Sequence, residues 1–301
     1  MWAGGFSVLL LWVMYLGVLV VGLVSSSYVL VWGALELGLI LTMTYLVWSD
    51  DRMGSVLYYY IVQAFSSLFM IVGVVVESPL VVMGGVVVKL GLFPAFAWVV
   101  SVIWGMGLSW GVLMVLFAQK MIPLVLVARW GWLLDSGSEV FVFLALLSVV
   151  VGSLLMSYGV SVKWLVVMSS LVHTGWLLFV LLGNPGSFMF YFMVYGGVLL
   201  FILLLVSCGE VSSTAVMLVI LSSVPPVMGF LFKFYSLGLM GNSFLVFLVT
   251  GLVVVVAAVV GYFINLLLSF MAQMSGLNFS GFSFMLVLGV VFILCFSFVY
   301  V

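Results

Sequence analysis

Charge is the scarcest property of this sequence. Only 4% of the 301 residues are charged, with six Lys and Arg against seven Asp and Glu, whereas a soluble domain carries about 25%. A water-facing globule is excluded because the polar surface needed to cover it is absent. A disordered chain and a nucleic-acid-binding protein are excluded as well, because both depend on charge. With 68% hydrophobic residues, the composition indicates an integral membrane protein.

Histidine and cysteine are almost as scarce. His173 is the single histidine, and Cys208 and Cys295 are the only cysteines. One imidazole cannot supply b-type haem ligation or copper-haem oxidase chemistry, which need several. The two cysteines stand in or beside apolar stretches, where small hydrophobic packing residues are expected rather than a disulfide or metal pair. We therefore expect no metal or cofactor site in this chain.

Long uncharged runs distinguish helices from a β-barrel. No charge occurs from Met1 to Leu35 or from Phe234 to Val301. Barrel strands alternate apolar and polar residues over segments of about ten, but these runs are apolar throughout and long enough for spans of about 20 residues. The sequence predicts an all-α polytopic membrane protein with about eleven transmembrane helices, at 4–24, 28–48, 55–76, 79–104, 108–128, 139–157, 163–183, 187–208, 214–237, 244–270 and 282–301.

Prolines interrupt two of these predicted helices. Pro94 follows Lys89 by five residues, and Pro225 and Pro226 precede Lys233; proline in a helix interior removes a backbone donor and breaks or kinks the helix. One interrupted helix then falls in each of two five-helix blocks, 4–128 and 139–270. This pattern is typical of transporters built from inverted repeats. We interpret residues 1–301 as one membrane domain made of two such repeats and a C-terminal helix, 282–301.

Four charged residues fall within the predicted spans: Glu36, Lys89, Lys120 and Lys233. The remaining charges lie in or beside predicted loops. A charge near the centre of a membrane helix costs at least about 2.5–3.5 kcal/mol on insertion scales, and such residues usually line ion or proton paths. Structural alternatives remain for each. Glu36 could hydrogen-bond a neighbouring helix, and Lys89 or Lys233 could extend to the interface.

Lys120 has a second notable feature, and His173 adds a fifth candidate position within the predicted spans. Lys120 precedes Pro123 and repeats the lysine-then-proline order of the preceding helix. His173 shares a helix face with Ser169, four residues earlier. A histidine in this setting is either a hydrogen-bonded packing residue or a proton relay, for which its titration range is suited.

Six short motifs, in order along the chain, resemble the family of NADH dehydrogenase subunit 2, the antiporter-like membrane subunit of respiratory complex I. The resemblance extends from about Trp32 to Phe234. The motifs are Trp32-Gly33-x-x-Glu36, Gln63-Ala64-x-x-Ser67, Lys89-Leu-Gly-Leu-x-Pro94 with Trp98, Gln119-Lys120-x-x-Pro123, Ser169-Ser170-x-x-His173-x-Gly175-Trp176, and Pro225-Pro226-x-x-Gly229-Phe230-x-x-Lys233.

The resemblance implies a role for each candidate residue. Glu36 is similar to the glutamate that pairs with the lysine of the first broken helix, here Lys89. Lys120 resembles the central relay lysine, Lys233 resembles the lysine of the second broken helix, and His173 matches a position near the polar axis. The chain departs from the family pattern after Pro94 and around Lys233, where the expected polar residues and prolines are replaced by Phe96, Val100, Ser101, Phe232 and Phe234.

The implied function is proton translocation in the membrane arm of complex I, coupled to electron transfer from NADH to ubiquinone in other subunits. NADH, FMN, iron–sulfur clusters and quinone would belong to those subunits, so this chain would carry out no redox chemistry. Its expected partners are membrane lipids and other membrane-arm subunits, with subunits 4L and 4 as neighbours, and no nucleic acid. The alternatives are a free-standing cation/proton antiporter and a purely structural spacer.

The implied location is the inner mitochondrial membrane. The loop charges, Arg52 and Lys163 on one side and Arg129 on the other, favour an N-terminus on the inner, matrix side. The first residues carry no basic presequence, so we expect the first helix to be retained.

Overall fold

A computed structural model of the chain describes residues 2–49, 52–129, 138–156, 161–183 and 185–207. All regular structure in these residues is helical, and the chain divides into two compact units, Met1–Leu144 and Ala145–Val301. The helices are α1 (Trp2–Val24), α2 (Tyr28–Trp48), α3 (Met53–Val75), α4 (Pro79–Leu90), α5 (Ala97–Gly105), α6 (Trp110–Leu113), a π-helical turn (Met114–Ala118), α7 (Gln119–Arg129), α8 (Ser138–Met156), α9 (Val162–Gly183) and α10 (Pro185–Ser207).

Within this part of the chain, six helical segments are long and apolar enough to cross a membrane. One is the continuous segment Trp110–Arg129, formed by α6, the π-helical turn and α7. Every predicted span before residue 208 has a helical counterpart, with ends that agree to within a few residues. The predicted spans 214–237, 244–270 and 282–301 lie outside the described residues, so the count of eleven helices and the inverted repeat stay predictions.

The predicted interruption near Pro94 is present. The helix that begins at Pro79 ends at Leu90, and the chain turns without helical structure before α5 begins at Ala97. Pro123, by contrast, lies inside α7 and does not end it. The irregular turn of this segment comes earlier, in the π-helical residues Met114–Ala118, directly before the helix that carries Lys120.

Helices α3 and α4 approach each other closely because glycines face the contact. A Cβ atom added at Gly73 would lie 2.6 Å from the Val82 backbone nitrogen, and one at Gly85 would lie 2.7 Å from the Ser66 carbonyl oxygen. Small residues allow membrane helices to pack backbone to backbone in this way. This contact fixes the position of α4 and therefore of Lys89 at its end.

Helix α2 lies among the other helices of the first unit and contacts α1, α3, α6 and α7. Its buried side includes Val31, Leu35, Leu39, Thr42 and Leu46. In the second unit, α8 and α9 also meet at glycine: a Cβ at Gly175 would lie 2.7 Å from the Ala145 carbonyl oxygen. The polar residues of each unit are thus held between closely packed apolar helices.

Candidate functional site: buried polar residues between helices

Glu36 and Lys89 form an ion pair between α2 and α4. The Lys89 Nζ atom lies 3.8 Å from Glu36 Oε1, and the Lys89 side chain is 4% exposed against 26% for Glu36. The pairing that the resemblance implies is therefore present in the structure. Because the distance exceeds that of a direct hydrogen bond, a small side-chain movement is enough either to tighten this contact or to release it.

The end of α4 is shaped to hold Lys89 at the break. Gly91 adopts a left-handed conformation, with φ of 65°, and the Leu92 and Gly91 N–H groups donate to the Val87 and Val88 carbonyls. This pattern is a Schellman motif, which closes a helix at a glycine. Lys89 thereby occupies the last turn, where the helix dipole favours a positive charge.

Trp98, in α5, makes a further contact with the end of α4. Its indole Nε1–H donates to the Val88 carbonyl at 2.9 Å, so this carbonyl accepts a second hydrogen bond in addition to the one from the Gly91 N–H. The space is tight, because a Cβ atom at Gly91 would lie 2.5 Å from a Val99 methyl group. The chain around Pro94 is thus folded back onto the end of α4, and the broken helix is a packed structure.

A set of buried polar side chains leads from this break toward Lys120. The Trp98 ring lies 5.9 Å from the Tyr59 ring, centroid to centroid. The Tyr59 hydroxyl lies near the Thr42 side chain. It makes no hydrogen bond of regular geometry with a described residue. Gln119 Nε2 donates to Thr42 Oγ1 at 3.3 Å. Gln119 stands next to Lys120 in the first turn of α7, so this polar contact reaches the helical turn that carries the second lysine.

Lys120 is buried, with 3% of its surface exposed. It lies in the first turn of α7, which packs against the helices that carry Glu36 and Lys89. The π-helical turn Met114–Ala118 comes directly before it, and such turns occur frequently at functional sites. Glu36, Lys89 and Lys120 thus all belong to the same packed unit.

His173 is held by two tyrosines of α10 in the second unit. Its Nδ1 atom lies 2.8 Å from the Tyr191 hydroxyl, and its ring stacks on Tyr195 with centroids 4.7 Å apart and an interplanar angle of 27°. The Ser169 hydroxyl, on the same helix face, donates to the Val166 carbonyl. The two contacts fix the orientation of the imidazole ring and place the Tyr191 hydroxyl next to it.

The remaining predicted positions are distributed as follows. Pro94 lies in the turn between α4 and α5. Lys233, Pro225 and Pro226 lie outside the described residues. Within the part of the chain that is described, no group of three or more His, Cys, Asp or Glu residues gathers as a metal site requires, and the expectation of no cofactor stays a prediction.

Thr42, Tyr59, Tyr191 and Tyr195 are site residues that sequence reasoning missed. Each is a single hydroxyl on an apolar helix, and nothing in the sequence distinguishes it from neighbours such as Tyr58 and Tyr60 beside Tyr59. A usable signal exists only for Thr42, since Gln119 adjoins a candidate lysine and requires a buried partner on a neighbouring helix.

The arrangement of helices is similar to that of several known membrane complexes. The fold matches chains of the respiratory complex I of Thermus thermophilus (TM-score 0.73, 20% identity, 84% of this chain and 67% of that chain) and of an archaeal membrane-bound sulfane sulfur reductase (TM-score 0.73, 17% identity, 89% and 68%). It also matches a chain of the Mrp complex of Dietzia sp. (TM-score 0.68, 15% identity, 86% and 58%). The chain is therefore a multi-pass membrane protein with the fold of the complex I and Mrp antiporter-like subunits.

Sequence relatives then identify the family, although a scan against protein-family models finds no match. The chain is 32% identical to NADH-ubiquinone oxidoreductase chain 2 of Mytilus edulis over 232 residues, 69% of this chain and 66% of that protein. Proteins of the same name from Albinaria caerulea (24% identity, 76% and 78%) and Pisaster ochraceus (28% identity, 64% and 63%) also match. The chain belongs to the NADH-ubiquinone oxidoreductase chain 2 family, and the matched regions span between 63% and 78% of the length of these relatives.

Proposed function

We propose that this chain is a membrane-arm subunit of NADH:ubiquinone oxidoreductase and takes part in proton translocation. The observation that carries the proposal is the buried ion pair of Glu36 and Lys89 at a helix break, in the same packed unit as buried Lys120. Charged residues inside membrane helices are costly, and those that occur usually mark a path for ions or protons. Family membership supports the assignment to this complex.

In the proposed mechanism, the position of Glu36 controls the protonation of Lys89. A carboxylate near a lysine stabilises the charged ammonium, and desolvation without it favours the neutral amine. When Glu36 approaches, Lys89 takes up a proton; when Glu36 withdraws, Lys89 releases it. The 3.8 Å separation supports this step, because it lies between a direct hydrogen bond and a broken contact.

The released proton would move toward Lys120 along the polar side chains of the first unit. Tyr59, Thr42 and Gln119 supply hydroxyl and amide groups between the end of α4 and the start of α7. Transient water next to these groups would complete the connection, since hydroxyls both donate and accept hydrogen bonds. His173 and Lys233 are proposed to serve as further relay groups.

The rest of the assignment follows from the same proposal. NADH, FMN, iron–sulfur clusters and quinone are bound by other subunits, so this chain contributes proton transfer and no redox step. Its neighbours in the membrane arm are subunits 4L and 4, together with lipids, and its location is the inner mitochondrial membrane with the N-terminus in the matrix.

Membership of the complex is tested by a native gel of membranes solubilised in a mild detergent. Gel bands are stained for NADH dehydrogenase activity and searched for this chain by mass spectrometry. We expect the chain to migrate with the active high-mass band. Migration alone or with an unrelated complex would overturn the proposal in favour of a free-standing cation/proton antiporter, which proton-coupled cation transport in liposomes of the isolated chain would then test.

A further inference from the structure

Two buried polar atoms on α2 lack a hydrogen-bond partner among the described residues. They are the indole Nε1 of Trp32 and the carboxyl Oε1 of Glu36. One is a donor only and the other accepts hydrogen bonds when the carboxyl is ionised. The Glu36 atom has only the 3.8 Å charge contact with Lys89 Nζ. A buried polar atom without a hydrogen bond costs free energy, so two complementary ones on the same helix call for a common explanation.

The helix geometry brings these two side chains to the same face. Trp32 and Glu36 are four residues apart, one turn of the helix, where side chains are neighbours. Long side chains in helices lean toward the N-terminus, so the Glu36 side chain leans toward the turn that carries Trp32. A change of the Glu36 rotamer, without movement of the backbone, would carry the carboxyl group toward the indole.

Contacts on either side show what this face of α2 meets. Tyr28, one turn before Trp32, donates its hydroxyl to the Met70 carbonyl of α3 at 3.0 Å. Glu36, one turn after it, meets Lys89 of α4. Since α3 and α4 pack against each other, Trp32 lies between two contacts to one helix pair, on the same stripe as the ion pair.

We infer that the indole N–H of Trp32 is the second partner of the Glu36 carboxyl group, which alternates between Lys89 and Trp32. Hydrogen bonds to an ionised acceptor are stronger than neutral ones, so the indole holds the carboxylate when it leaves the lysine. Trp32 is thus a positioning residue that acts through Glu36. The inference rests on the proposed function and adds to it a residue that sets the two positions of the switch.

The test is a double-mutant cycle in the assembled complex. NADH-driven proton translocation is measured in proteoliposomes for Trp32→Phe, Glu36→Gln and the variant that carries both, with Lys89→Met in parallel. Trp32→Phe keeps an aromatic ring and removes the N–H donor, together with the five-membered part of the indole. Trp12→Phe is the matched control, because Trp12 is also a partly buried tryptophan of the first unit, and its ring contacts Tyr15 and Trp110.

We expect Trp32→Phe to lower coupled translocation about tenfold, as loss of a hydrogen bond to a charged group can. In the Glu36→Gln background, Trp32→Phe should cause no further loss of translocation, because the charged partner of the indole is already absent. Trp12→Phe should have little effect in either background. A tryptophan that acts only by packing would instead reduce translocation by the same factor with and without Glu36→Gln.

The outcomes separate this inference from the proposed function. If Lys89→Met stops translocation while Trp32→Phe is normal, or additive with Glu36→Gln, the inference is overturned and the proposed function stands. If Lys89→Met leaves translocation unchanged, the proposed function fails, whatever Trp32→Phe does. Failure of Trp32→Phe to assemble, when Trp12→Phe assembles, would also overturn the inference in favour of a packing role.

Discussion

Lys89 and Glu36 face each other across α4 and α2 with their charged atoms 3.8 Å apart, at the point where α4 ends. The lysine is held there by the left-handed turn at Gly91 and by the Trp98 indole, which donates to the Val88 carbonyl. The ion pair thus depends on helix packing and on the closure of a broken helix, and each contribution can be tested separately.

The negative charge of Glu36 compensates the positive charge of Lys89. Glu36→Gln leaves the buried Lys89 ammonium without its counter-charge, and loss of one partner of a buried ion pair is strongly destabilising. We expect coupled proton translocation to fall to a low but measurable rate, together with lower thermal stability of the complex. The control is Glu139→Gln, since Glu139 is an exposed carboxyl in the first turn of α8; an equal loss in both variants would contradict a specific role for Glu36.

The close packing of α3 and α4 can be tested with two adjacent glycines. Gly85→Ala would place a Cβ 2.6 Å from Met70 Cγ and 2.7 Å from the Ser66 carbonyl oxygen, whereas Gly84 has no atom within 4 Å of its added Cβ. Overpacking costs typically about 1–3 kcal/mol, and alanine in an open helical position is favoured over glycine. We therefore expect Gly85→Ala to lower the thermal midpoint of the assembled complex and Gly84→Ala to leave it unchanged or raised. The reverse order would mean that α4 does not pack as described.

The contact between Thr42 and Gln119 tests the polar connection to Lys120. Thr42→Val keeps the side-chain shape and removes the hydroxyl that accepts from Gln119 Nε2, so we expect about three- to tenfold slower proton translocation, from the loss of about one hydrogen bond. Thr44→Val is the matched control. The Thr44 hydroxyl makes the same local bond to the carbonyl three residues earlier, but it is exposed. Equal rates for Thr42→Val and the wild type would remove Thr42 from the route.

The Tyr191 hydroxyl tests how His173 is held. Tyr191→Phe removes the 2.8 Å contact to His173 Nδ1 while the ring keeps its packing, and a lost buried hydrogen bond costs about 0.5–1.5 kcal/mol. We expect a lower thermal midpoint and, if His173 is a relay, slower translocation. Tyr60→Phe, at an exposed tyrosine, should change neither quantity. Lower stability with normal translocation would identify His173 as a packing residue.

The sequence predicts the helices well and the inter-helix contacts poorly, for a physical reason. Hydropathy and polar punctuation predict the span 28–48, and the structure has α2 at Tyr28–Trp48, because uncharged runs between polar hinges determine membrane spans locally. Pro94 likewise predicts the break, because proline removes a backbone donor. The partnership of Thr42 with Gln119 spans 77 positions of the chain, so it depends on how α2 packs against α7, which no local pattern encodes. The π-helical turn before Lys120 is equally unmarked, since its residues are ordinary apolar ones.

Whether Lys89 carries protons is decided by the stoichiometry of proton translocation. The number of protons translocated per electron is measured in proteoliposomes of the assembled complex that carries Lys89→Met, with Lys163→Met, near the start of α9, as the matched lysine control. The account predicts a clear fall in this ratio for Lys89→Met and none for Lys163→Met. An assembled Lys89→Met complex with an unchanged ratio would contradict it.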